Sequence, residues 1–248
     1  MTDHDGASTF AKGLRVLDCF AAGRTDLTMA DLARLTGYDR ATTRRLCLSL
    51  EQSGYVHRQD RCFRLTPKVM AVAGGYLSSL DVGKFVQPVL NQFAEALEGE
   101  IALAVRDGNR AIYIARSAVS SARISIGFSV GSTLPLLPTA IGRMLLAQCT
   151  DPERASLIKS CPLEQYTTHT NMDKGSIAHD VGVAARNGFA YLDNEFEHGA
   201  AGLAVPLVGF GSTQAVLATT ASVRQLRTKE AQDKALDALR SAAISLRR

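Results

Sequence analysis

The 248 residues predict an α+β protein with two differently textured parts. Two observations carry that expectation. Between Thr28 and Arg64, two cappable amphipathic helices lead directly into a basic hairpin. From Asp81 onward, β-rich pairs about polar turns are interspersed with helical stretches, the pattern of an antiparallel sheet carrying helices. Before the first helix pair, the polar Met1–Ser8 segment is expected to be disordered. Phe10–Phe20 forms a helix packing Leu14, Leu17 and Phe20.

The first of the paired helices opens at Thr28, which can cap it while Asp31 reaches back in a capping box. Leu32 and Leu35 fall on one inward face, and Ala30 and Ala33 are small enough for another helix to approach. Gly37 supplies the turn, because only glycine enters left-handed backbone space without steric cost. A second helix runs from Arg40 behind an Asp39 cap, with Leu46, Cys47 and Leu50 inward. Gly54 stops it. Tyr55–Leu65 then reads as two short strands about a Gln59-Asp60 tip.

A helix that reads DNA needs donors on its first turns and an apolar rear face. Arginine bonds bidentately to guanine, and threonine offers a hydroxyl or a methyl to a base edge. Arg40, Thr42, Thr43, Arg44 and Arg45 fit that requirement, with Thr28 at the start of the unit. Arg58, Arg61 and Arg64 of the hairpin are placed to meet phosphates. This order of elements is that of a winged helix-turn-helix. Charge agrees: residues 1–80 carry eleven Lys/Arg against eight Asp/Glu, a net of +3 out of +4 for the chain.

Thr66-Pro67 starts a linker helix running to Leu80, in which Gly74-Gly75 suggests close packing more than a hinge. The expected division is residues 8–66 for DNA binding, 67–80 for the linker and 81–248 for effector binding and oligomerisation. In the last part, helices are expected at Val86–Leu97, Thr139–Gln148, Pro152–Lys159, Ile177–Asn187 and from Lys229. Strands are expected at Ile101–Val105, Ala111–Ala115, Arg123–Phe128, Phe189–Leu192, Leu203–Val208 and Ala215–Thr220. No stretch resembles a signal peptide or is apolar enough to span a bilayer. The five scattered cysteines form no C-x-x-C pair, so reduced, buried thiols in a cytoplasmic protein are expected.

Over nearly its whole length the chain resembles the IclR family of bacterial transcriptional regulators. The resemblance is carried by Lys12-Gly13-Leu14-Arg15-Val16-Leu17, the helix pair, Gly54-Tyr55-Val56 and Phe63–Val69. Further along it is carried by Tyr76–Ser79, Tyr113-Ile114-Ala115-Arg116, Gly131–Pro135 and Thr139–Ala147. The Tyr-Leu-Ser-Ser and Tyr-Ile-Ala-Arg-Ser segments look most like the branch of protocatechuate and hydroxybenzoate regulators. The resemblance implies a homodimer on double-stranded operator DNA, often assembled into tetramers. It also implies a small organic acid bound in the second domain, altering operator binding or polymerase recruitment. Family position nominates Leu134, Thr139, Ala140, Ile141, Gly142, Asp193, Glu195, Thr219 and Ala221 for that acid.

Physics supports a carboxylate at Thr139. A helix capped there leaves the amides near Ala140, Ile141 and Gly142 pointing outward, favouring an anion by roughly 0.3–1 kcal/mol. A micromolar ligand needs about 8 kcal/mol, so other walls must contribute. The chain departs from the family at Gly199-Ala200-Ala201-Gly202 and Thr219-Thr220-Ala221, where polar positions become Gly or Ala and the pocket widens. Arg143 is expected in a helix-surface salt bridge.

No catalytic residues, cofactor or metal are expected. Gly127-Phe128-Ser129-Val130-Gly131 matches a nucleophile pattern, but that motif needs a strand, a sharp turn and a helix. His169, His179, His198, Cys149 and Cys161 lack paired ligand spacing. Gly209-Phe210-Gly211 reads as a hairpin turn and not a dinucleotide loop. Two alternatives remain beside the ligand-responsive regulator: a constitutive DNA-binding protein whose second domain only oligomerises, and an acyl-hydrolase using Ser129.

Overall fold

The computed structural model describes residues 4–21, 23–119, 128–211 and 213–247. Its first helix, α1 (His4–Asp18), begins inside the segment expected to be disordered. It buries Val16, with Phe20 just beyond it, while Leu14 is exposed. The short strand β1 (Leu27–Thr28) was not anticipated. It leads into α2 (Met29–Thr36), whose capping box is complete, Thr28 and Asp31 each bonding the other's backbone amide. Gly37 closes α2 at a φ of 74°, in left-handed space. Leu32 is fully buried, but Ala30 is exposed and mediates no helix approach.

Helix α3 (Arg40–Gln52) follows, then β2 (Val56–Gln59) and β3 (Cys62–Leu65). The pairing Gln59↔Cys62 makes Asp60-Arg61 the two-residue tip, one position later than expected, with Asp60 at a φ of 55°. Strand β1 adds to β3, giving a three-stranded antiparallel wing in the order β1-β3-β2. Val16, Phe20, Leu27, Leu32, Leu46, Cys47, Val56 and Phe63 form one core beneath these elements.

Helix α4 (Lys68–Ser79) is unbroken, and none of its residues is buried. A Cβ on Gly74 or Gly75 would meet nothing within 4 Å, so these glycines are not packing sites within the described chain. The chain divides into two compact units between Tyr76 and Leu77.

In the second unit, a π-helical turn at Val82–Val86 leads into α5 (Gln87–Leu97). Then come β4 (Glu100–Asp107), β5 (Arg110–Ala118), β6 (Thr133–Pro135) and α6 (Ala140–Ala147). Helices α7 (Asp151–Ser160) and α8 (Lys174–Asn187) precede β7 (Ala190–Asp193), β8 (Ala200–Leu207), β9 (Ala215–Ser222) and α9 (Lys229–Ser245). Of the strand expected at Arg123–Phe128, residues 123–127 lie outside the described residues, and Phe128 belongs to no strand.

The six strands form an antiparallel sheet in the order β6-β5-β4-β9-β8-β7. Because side chains alternate across a sheet, its two faces differ in kind. Ile101, Leu103, Val105, Leu203, Val205, Leu207 and Leu217 pack with α5 and α9. Ala102, Ala104, Ala111, Ala204 and Ala218 face α6. Small residues on that face let α6 lie close, and Gly202 extends the effect: a Cβ there would stand 3.3 Å from that of Ala140.

Gly142 is the tightest point. A Cβ on it would fall 2.2 Å from Leu136 Cα, and backbone cannot yield as a side-chain tip can. Gly142→Ala is therefore expected to lower stability by about 3 kcal/mol or more, read in urea unfolding of the full chain. The first unit, which holds none of these contacts, should keep its own transition.

Candidate functional site

The exposed face of α3 carries Arg40, Ala41, Arg44 and Arg45. The three arginines meet no acidic partner among the described residues, so their guanidinium forks are free. Thr43 is a correction to the sequence expectation. It is completely buried, and its hydroxyl donates to the Asp39 carbonyl at 2.9 Å, because the 3.6-residue repeat places it beside Leu46 and Cys47. Thr42 is half-buried, and its hydroxyl donates to Asp39 Oδ2 at 2.7 Å. The Thr28 hydroxyl is likewise engaged with Asp31.

On the wing, Arg58 and Arg61 are exposed. Arg64 instead pairs with Asp26 and donates to Gln59 Oε1 at 2.6 Å, tying the wing to the segment before β1. That guanidinium, with help from the Thr25 hydroxyl, holds the Asp26 carboxyl below its usual range. The two caps are depressed too: Asp39 by the Thr42 amide and hydroxyl, Asp31 by the Thr28 hydroxyl and then Arg34.

In the second unit a cavity of about 60 Å³ lies between the small-residue sheet face and the start of α6. At roughly 10–15 Å³ per water centre, it has room for about four to six waters, the bulk of one compact organic acid. Thr139 caps α6: its hydroxyl accepts from the Gly142 amide at 3.0 Å and donates to the Pro135 carbonyl at 2.7 Å. The Ala140 and Ile141 amides meet no acceptor among the described residues, and both residues line the cavity. Leu134 and Leu192 supply apolar wall. Aromatic rings form another, with Tyr113 on Phe128 at 5.7 Å and Phe128 near Phe196 at 6.1 Å between centroids. No lysine or arginine lines the cavity among the described residues.

The structure redistributes the other nominated residues. Gly142 packs on Leu136 and lies outside the cavity lining, as does Ala221. Asp193 contributes to the lining, but its carboxylate accepts from Tyr191 Oη and Asn194 Nδ2, both at 3.0 Å. The Glu195 carboxylate is gripped through both oxygens by Arg143 Nη2, at 2.9 and 2.7 Å, and accepts from the Asn171 amide. Thr219 lines the cavity but pairs with Leu203, so alternation turns its side chain toward the α5/α9 face. Thr220, one residue on, faces α6.

Strand alternation alone would have found Thr220. Tyr113, Phe128 and Phe196 needed the tertiary structure, because they arrive from three separate segments.

Arg143 is the largest departure from expectation. Its salt bridge is buried, not on a helix surface: the side chain is 4% exposed and also donates to the Leu137 carbonyl and to Asp180. It joins α6, α8 and the turn after β7. The Thr167 and Thr170 hydroxyls add bonds to the Asn194 and Glu195 carbonyls, at 2.5 and 2.6 Å, fixing the cavity wall. Ser129 lies in a turn, its amide on Ser132 Oγ, with neither strand nor helix at the residue as a nucleophile motif requires.

A basic helix seated on a winged unit, with a ligand-sized cavity in a separate α+β unit, defines a ligand-responsive class of DNA-binding protein. The comparisons place the chain within that class. Residues 9–60 match the IclR helix-turn-helix domain, and residues 74–248 match the C-terminal part of bacterial transcriptional regulator IclR. The chain belongs to the IclR family of transcriptional regulators, which are not enzymes. It is a DNA-binding regulator with a C-terminal effector-binding domain.

The Pca regulon regulatory protein of Pseudomonas putida is 31% identical over 245 residues, covering 98% of this chain and 84% of the relative. The p-hydroxybenzoate hydroxylase transcriptional activator of Acinetobacter baylyi is 27% identical over 248 residues, covering 98% and 92%. Among solved structures, an IclR transcriptional regulator from Silicibacter sp. TM1040 aligns with a TM-score of 0.86 at 26% identity, covering 96% and 94% of the two chains. An IclR homolog from Microbacterium hydrocarbonoxydans, complexed with 4-hydroxybenzoate, shares the fold with a TM-score of 0.77 at 24% identity, covering 96% and 97%. No described helix is long and apolar enough to cross a membrane.

Two outcomes follow from these contacts. Arg143→Ala strands the largely buried Glu195 carboxylate and is expected to cost about 3 kcal/mol in urea unfolding. The capping carboxylates have lowered pKa values in the folded state. Their stabilisation is complete above the unfolded value near ~3.9 and disappears as pH falls through the folded values. Asp39→Asn keeps a competent cap without a titrating group. Its melting temperature should therefore drop less between pH 5 and pH 3 than that of the wild type.

Proposed function

We propose that the chain reads its operator through Arg40, Arg44 and Arg45, and that a small aromatic carboxylic acid in the cavity controls that binding. The observation that carries the ligand half is the pair of amides at the start of α6, unpaired among the described residues and opening into an aromatic-walled cavity in which those residues place no cation. Helix N-termini favour anions, and the apolar walls add the burial that the amides cannot supply. The size of the cavity suits one ring better than a fused system. Names of two relatives, one a regulator of a Pca regulon and one an activator for p-hydroxybenzoate hydroxylase, support an aromatic acid. The 4-hydroxybenzoate held by the Microbacterium homolog agrees with that class.

On the DNA side, Arg40, Arg44 and Arg45 enter or flank the major groove while Arg58 and Arg61 contact phosphates. Thr28, Thr42, Thr43 and Arg64 act indirectly, by holding helices and wing in shape. Residues 8–66, 67–80 and 81–248 then act as reader, connector and sensor. A homodimer is supported by exposed apolar side chains: Phe10 and Leu14 on α1, Met70 and Val72 on α4.

The test is binding of the full-length protein to duplexes from its own upstream DNA, with and without a panel of aromatic and aliphatic acids. An aromatic acid should shift operator affinity; specific binding that no acid alters points to the constitutive alternative. Arg44→Ala should cost about 1–3 kcal/mol and relax one operator position. Arg61→Ala should weaken all sequences alike and lower the salt slope by about one unit.

A further inference from the structure

Tyr113 stands on β5 opposite Ala104, whose small side chain leaves the phenol room beneath α6. The residue is only 3% exposed, and it lines the cavity with its ring against Phe128. A buried tyrosine hydroxyl ordinarily finds a hydrogen-bond partner. This one meets none among the described residues, and its oxygen keeps some open surface, as a group facing the cavity would.

Three of the surrounding polar side chains are already engaged among the described residues. The Thr139 hydroxyl caps α6, Glu195 is held by Arg143, and Asp193 by Tyr191 and Asn194. Thr220 also faces α6 with a hydroxyl unpaired among the described residues, but it is half-buried, where Tyr113 is only 3% exposed. Burial pushes the phenol's pKa well above its ordinary value, and the Glu100 charge pushes it the same way. The hydroxyl is thus protonated at working pH, free to donate and to accept.

We propose that Tyr113 is a specificity-determining residue: its hydroxyl pairs with a ring hydroxyl of the effector, while the effector's carboxylate sits on the Ala140 and Ile141 amides. This rests on the small-acid reading above and adds a second anchor to it. An acid without a ring hydroxyl leaves the buried phenol unsatisfied, and sites built around a hydroxyl discriminate strongly against analogues that lack it.

Calorimetric titration of the full-length wild type and Tyr113→Phe with benzoate and each monohydroxybenzoate tests this, with melting of both unliganded proteins alongside. The wild type should prefer one hydroxybenzoate isomer over benzoate by about tenfold or more. Tyr113→Phe should bring that preference to within about twofold, by weakening the preferred hydroxybenzoate far more than benzoate. Unliganded Tyr113→Phe should melt at the same or a higher temperature, because the deleted hydroxyl had no partner. A preference that is absent in the wild type, or that survives the substitution, overturns the assignment. So does equal weakening of benzoate and hydroxybenzoate, or a lower melting temperature for the unliganded variant. In those cases acid binding itself, and hence the small-acid reading, still stands. If no acid binds the wild type, both fall.

Discussion

The close approach of α6 to the sheet is the constraint on which the second unit depends. Alanines on β4, β5, β8 and β9 form a shallow face, and Gly142 sets the helix against the Leu136 backbone. With larger residues at those positions, the helix would stand off and the cavity would lose its floor. The same approach places the first amides of α6 at the wall of the cavity. On the proposed reading, a feature that is usually a minor helix-end effect becomes the main polar recognition element of the cavity.

Two ionic clusters hold the walls around that floor. Arg143 binds Glu195, Asp180 and the Leu137 carbonyl, so one buried guanidinium connects α6, α8 and the turn after β7. Arg116 pairs with Glu100 at 2.6 Å and donates to the Phe128 carbonyl at 2.9 Å, fixing the aromatic wall. Arginine suits this work because its planar fork satisfies several acceptors in one geometry. Charges that look available in sequence are therefore structural, and among the described residues the cavity presents amides, rings and hydroxyls instead of a cation. Burying charge is costly unless it is paired, so such networks have few alternative arrangements.

The first unit divides its polar residues in the same way. Arg64, Thr28, Thr42 and Thr43 hold caps, wing and helix together, which leaves Arg40, Arg44, Arg45, Arg58 and Arg61 outward. Thr43 shows why residue type is not enough to assign a base contact. A threonine and an arginine one position apart on a helix differ by about 100° in direction, enough to separate core from groove.

Local chemistry determined most of the elements. Thr28, Asp31 and Gly37 fixed the limits of α2, Asp39 fixed the start of α3, and Thr139 the start of α6, because caps and left-handed turns act within three or four residues. Strands and helices on either side of polar turns were legible for the same reason, and so was the α+β class. Short β1 and β6 escaped notice, because a strand of two or three residues exists only through its partner. Family resemblance located the floor of the cavity at Thr139–Ile141. Only the tertiary structure decided which nominated side chains reach it. Packing brought Tyr113, Phe128 and Phe196 together from distant segments, committed Glu195 to Arg143, and turned Thr220 rather than Thr219 toward α6. Such contacts depend on register and on sequence-distant partners, whereas capping and periodicity are written within a few consecutive residues.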